Sequence, residues 1–134
     1  MNIENFADLL QAARAQPLQQ RLLLVFAEAV LPDDASPHER AGFEAGQGGA
    51  LVPVMCVDKG LDELSSFEAL VEEAAQFGNA WRFVFAGAMS GTAHSAPEPA
   101  AVETAAQAMV ESIKRGELAR YLAFDRQGLP VALG

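Results

Sequence analysis

Residues 21–30, RLLLVFAEAV, are apolar at every position from Leu22 to Ala27. A strand with one wet face alternates apolar and polar side chains, so an unbroken run reads as a central strand, apolar on both faces. The run is far too short to cross a bilayer. Pro32-Asp33-Asp34 ends it. The chain must therefore build a sheet around this segment, and the remaining elements are read as what surrounds it.

Upstream, Ile3, Phe6, Leu9, Leu10 and Ala13 fall at helical spacing, which predicts a helix over 3–15 capped by Asn2 and closed by Pro17. Ser36-Pro37-His38-Glu39 has the form of a helix start, a capping hydroxyl followed by proline and a glutamate that reaches back. Only Phe43 anchors that helix before Gly46-Gln47-Gly48-Gly49, so one or two surface turns are expected. ALVPVMCV, 50–57, predicts a second strand, and Pro53, lacking a ladder donor, points to an edge or an irregularity. Ser65 and Glu68 suggest a capping box for a helix striped by Phe67, Leu70, Val71 and Ala74 and stopped at Gly78. WRFVFAGAM, 81–89, reads as a third strand with Trp81, Phe83 and Phe85 on one face. A long helix follows from Pro99 to Arg115, with Val102, Ala105, Ala106, Met109, Val110 and Ile113 inward and Gly116 as terminator. Asp125-Arg126-Gln127-Gly128 between two apolar runs predicts a hairpin.

This order predicts one α/β (or α+β) domain over 1–134, a mixed sheet of about five strands with helices covering at least one face and a C-terminal β-hairpin. The direction of pairing between the first two strands is open, because their connector is too weakly apolar to be a crossover helix. At 134 residues the chain is of ordinary single-domain size.

The balance of charge narrows the function. Nine bases against eighteen acids give a net charge of −9, which repels phosphate backbones and anionic membranes; with the bases scattered, neither nucleic acid nor membrane is an expected partner. One cysteine forms no internal disulfide, and a lone cysteine with two distant histidines makes no metal set. No cofactor is expected: GxGxxG, GxxxxGK[ST] and GxSxG are all absent. The N-terminus has acids where a signal peptide needs bases, and a cytoplasmic location is the expectation.

Three features bear on chemistry. Cys56 lies among valines on an apolar strand, where free cysteine is most often a small core residue, and it is expected to be buried. A catalytic cysteine needs a base, which only His38 or His94 would supply, through a tertiary contact. The loop MSGTAHSAPEP carries Ser90, Thr92, His94 and Ser95 after a strand, where open α/β sheets bind ligands. If the first three strands run parallel, Asp33, Asp58, Lys59, Ser90 and His94 converge at one sheet end as a polar site.

The segments FADLLQAAR, LLLVFAEAVLP, GGALVPVMCVDK, FEALVEEA, RFVFAGAMSG and YLAFDRQGLPV together resemble a family of small proteobacterial proteins of unknown function. VPVMCVDK and FDRQGLPV are the most specific of them. Members of that family often carry the label "ribonucleotide reductase subunit alpha". A catalytic subunit of that enzyme resembles a large barrel with a radical-forming cysteine and a redox pair of others, whereas this chain has one cysteine. The resemblance supplies no catalytic residues to carry over. The expectation is a non-enzymatic domain that binds a protein partner or a small ligand, with LPVAL as a pairing edge for a homodimer. The alternative is a small enzyme using Cys56, Asp58, Ser90 and His94, with His94 as acid/base and Cys56 or Ser90 as nucleophile.

Overall fold

The computed structural model describes residues 3–31, 34–44 and 50–132. In chain order the elements are α1 (Phe6–Arg14), β1 (Gln20–Val30), α2 (Pro37–Glu44), β2 (Ala50–Gly60), a short 3-10 turn (Leu61–Glu63), α3 (Phe67–Ala75), β3 (Phe83–Ser90), α4 (Pro99–Lys114), β4 (Leu122–Phe124) and β5 (Pro130–Val131). The strands form one five-stranded sheet in the order β2-β1-β3-β4-β5. This is an α/β fold with helices packed on a five-stranded sheet and a terminal hairpin, as the sequence implies. The pairing is antiparallel throughout rather than mixed as expected, which settles the direction of the first two strands.

β1 sits between β2 and β3, and its side chains divide between two cores. Leu22, Leu24 and Phe26 face α1 and α3, where Phe6, Leu10, Phe67, Leu70 and Phe124 complete a cluster. Leu23, Val25 and Ala27 face α4, against Phe85, Val102, Met109 and Ile113. Leu22, Leu24, Val25 and Phe26 are fully buried. Burial contributes about 1.5–3 kcal/mol for each large apolar side chain, so this strand anchors both layers.

Local chemistry sets most helix ends. Asn5 caps α1 by accepting from the Asp8 N–H, while Asn2 lies outside the described residues. Ser36 and Glu39 exchange two backbone–side-chain bonds of 3.1 Å each at the start of α2, the expected capping box. α2 has no buried residue, consistent with its weak apolar face. The cap of α3 is Ser66, accepting from Ala69 N–H, not Ser65; adjacent serines offer the same chemistry, and the helix phase picks the one three residues before Ala69.

Trp81 departs from the expected face. β3 begins at Phe83, so Trp81 is free of the strand's alternation and packs against Phe26 at 5.0 Å, on the side opposite Phe83 and Phe85. Arg126, in the hairpin turn, holds it there: its guanidinium lies 4.4 Å from the indole ring and donates to the Trp81 carbonyl at 2.8 Å. Pro53 marks both features it suggested, since β2 is an edge strand and its register with β1 shifts between Phe26 and Ala27, opposite Met55 and Pro53.

Candidate functional site

The antiparallel sheet gathers some of the strand-end residues and separates others. β2 and β3 both end where β1 begins: Arg21 pairs with Gly60 and Met89, and Gln20 with Ser90. Asp58, Lys59, Ser90 and the following loop thus share one end of the sheet. Asp33 lies outside the described residues; β1 ends at Val30, paired with Ala50 at the far end.

The two faces of the sheet then divide the cluster. Asp58 pairs with Leu23 and Cys56 with Val25, both on the α4 side, whereas Lys59 pairs with Leu22 on the α1–α3 side. Ser90 belongs to β3, two strand spacings or about 9.6 Å from β2.

Most of these polar groups hold one another. Arg21 Nε donates to Asp58 Oδ2 at 2.5 Å, and Arg21 Nη1 donates to Glu63 Oε1 at 3.2 Å. The Gly60 N–H, 2.9 Å from Glu63 Oε1, holds that carboxyl below the usual carboxylate range, and the charge of Arg21 adds to the effect. Lys59 Nζ reaches Glu73 Oε1 of α3 at 2.6 Å. Gln20 Nε2 donates to Ser90 Oγ at 2.8 Å. These contacts join the β2 end to the 3-10 turn and α3, and the β3 end to β1.

Cys56 is a correction. The thiol-bearing residue is exposed rather than buried in a core. Alternation identifies the face a residue occupies but not what covers it, and β2 is an edge strand with no further strand paired on its outer side among the described residues. The thiol pKa is nevertheless raised, first by desolvation from its neighbours and then by the charge of Asp58 two residues on. Asp58 therefore disfavours the thiolate.

His94 is exposed, in a turn built on Thr92, whose Oγ1 accepts from the His94 N–H at 3.2 Å and the Ser95 N–H at 2.9 Å. Gly91 N–H to Gln19 O and Gln19 N–H to Thr92 O tie this loop to the segment entering β1. The loop is thus held by its own hydrogen bonds and by two backbone bonds to Gln19. His38 is exposed on α2. Among the described residues no group of three His, Cys, Asp or Glu is placed to hold a metal ion, and no helix is long and apolar enough to cross a membrane.

Two surface features went unread in the sequence. Phe77, just after α3, is 59% exposed and flanks a crevice over Phe26, Met55, Val57 and Leu70. Val52 on β2 is 42% exposed. The second feature is a concavity of about 850 Å³ where α4 ends and the chain turns back, lined by Glu111, Ser112, Arg115, Glu117, Leu118 and Arg120 among others. Phe77 was legible only as the residue before a helix-stopping glycine, and the concavity has no linear motif. No family profile, curated protein or solved structure matches the chain.

Proposed function

We propose that this chain is a non-catalytic binding domain that engages a protein partner through the apolar outer flank of β2. The observation that carries the reading is Phe77, the most exposed of the large apolar side chains described, set beside Met55 and Val57 of an edge strand with no charge from residue 50 to 57. Large aromatic side chains of this kind anchor interfaces. The sheet edges themselves are poor templates for strand addition. β5 is two residues long and begins with Pro130, which argues against LPVAL as a pairing edge. β2 has Pro53, a register shift and an Asn79 side chain donating to the Val54 carbonyl at 3.4 Å. A side-chain contact at Phe77 therefore fits better than backbone pairing. An exposed, unpaired thiol suits a reducing compartment, in keeping with a cytosolic setting.

The second reading, a small enzyme around Cys56, Asp58, Ser90 and His94, has the exposure of Cys56 in its favour. Against it stand the raised thiol pKa and the division of those residues between two faces, two strands separated by β1, and a loop.

The test uses tagged wild type and Phe77→Asp as paired baits, with light scattering of both over a wide concentration range. A partner retained by wild type and lost by Phe77→Asp, with an unchanged fold, supports the reading. Concentration-dependent mass lost in the variant identifies the partner as a second copy. Equal retention and equal mass for both proteins would refute the assignment.

A further inference from the structure

We infer that the concavity at the C-terminal end of α4 is a binding site for a small organic anion, held by Arg120 and Arg115. The site is separate from the β2 flank and does not depend on it.

The chain has nine Lys and Arg residues, and three of them, Lys114, Arg115 and Arg120, fall within seven positions around this hollow. Two carboxylates, Glu111 and Glu117, line the same hollow, so residues 111–120 carry a net +1 on a chain of net −9, and an anion meets less repulsion here than the overall charge would impose. The volume, about 850 Å³, is that of a small-molecule cleft.

The arginines differ in what they already do. Arg115 Nη2 donates to Glu117 Oε2 at 3.2 Å, and the other carboxylate lining the hollow, Glu111, is engaged by Lys114 Nζ at 3.4 Å. Both pairs are more than half exposed, so they hold weakly and Glu117 can yield Arg115 to a competing oxyanion. Arg120 is exposed and has no hydrogen-bond or ion-pair partner among the described residues. A guanidinium with all its donors free offers a planar fork for a carboxylate or phosphate.

The end of a helix is ordinarily unfavourable for an anion, because its last carbonyls carry partial negative charge. Here three of the last four are occupied, the first by Arg115 N–H, which bonds to Glu111 O. Gly116 N–H bonds to Ile113 O and Glu117 N–H to Ser112 O, and Lys114 lies in the last turn. Gly116, at φ +76°, makes the reversal that carries Leu118 and Arg120 back toward the helix. Leu118, Ala108 and Ala119 add an apolar lining suited to the organic body of a ligand, which inorganic phosphate lacks.

The test is a two-dimensional NMR titration of the ¹⁵N-labelled full chain with phenyl phosphate, benzoate and inorganic phosphate. The expected result is saturable shifts confined to residues 108–120, with either aromatic anion binding more tightly than inorganic phosphate. Whichever of the two binds better identifies the oxyanion preferred. Arg120→Gln should weaken binding by about tenfold, the loss of a charge-assisted bond, with the rest of the spectrum unchanged. Arg82→Gln, a charge change on β3's approach, should leave the affinity as it is. Shifts that fail to saturate, or that fall equally in both variants, would mean diffuse electrostatic attraction and would overturn the site.

Discussion

Replacing Gly128 by alanine separates two costs that usually come together. Gly128 adopts φ +80° in the β4–β5 turn, and its carbonyl accepts from the Phe6 N–H at 2.9 Å. A Cβ there would lie 3.1 Å from Cδ2 and 3.2 Å from Cγ of Phe67. That ring is 8% exposed and packs on Phe6 at a centroid distance of 5.2 Å, so it has little room to retreat. Gly116 is the control: its φ is +76°, and a Cβ there would meet nothing within 4 Å. Gly116→Ala should cost only the left-handed backbone penalty, roughly 1–2 kcal/mol before a partial offset from the stiffer unfolded chain. Gly128→Ala should cost that plus an overpacking term of about 1–3 kcal/mol. Urea unfolding followed by the fluorescence of Trp81, the single tryptophan and 4% exposed, measures both, with an unchanged m-value as the check on two-state behaviour. Equal destabilisation of the two variants would show that the hairpin turn does not press on Phe67, and the account of how β4–β5 docks on α1 and α3 would fail.

Other consequences are open to simple assays. Native Cys56 should react with a thiol reagent readily at high pH, with a titration midpoint above that of the unfolded chain, and Asp58→Asn should lower it; a native midpoint below the unfolded one would bring the enzyme reading forward. Glu63 has a depressed folded pKa, so its contribution is full above its unfolded value of about 4.3 and is lost as pH falls through the folded value. The stability gap between wild type and Glu63→Gln should therefore close on acidification, as read from urea midpoints across pH. Arg126→Ala should cost about 1–2 kcal/mol by removing the bond to Trp81 O and the cation–π contact, and Arg126→Lys should recover only part of it, because an ammonium lacks the planar fork.

What the chain itself determined is mainly local. The unbroken apolar run of β1 requires a central strand, the Ser36–Glu39 pair requires a helix start, Gly116 and Gly128 supply the left-handed positions their turns need, and the stripe from Val102 to Ile113 requires a helix packed on one side. Each follows from backbone sterics or from the burial of neighbouring residues, and neither depends on distant partners.

Tertiary structure decided the rest, because a strand's residues specify its face but not its neighbours. Cys56 looks like a core residue from its apolar surroundings, yet lies exposed because β2 is at the sheet edge. Asp58 and Lys59 are adjacent in sequence but bind Arg21 on one side of the sheet and Glu73 on the other, since alternation sends successive side chains to opposite faces. Trp81 left its expected face because the strand starts two residues later and an arginine 45 positions away holds the ring. The direction of β1 relative to β2 determined which polar residues share an end of the sheet. That choice depends on how the whole apolar surface is covered, a balance summed over both layers and written in no single segment.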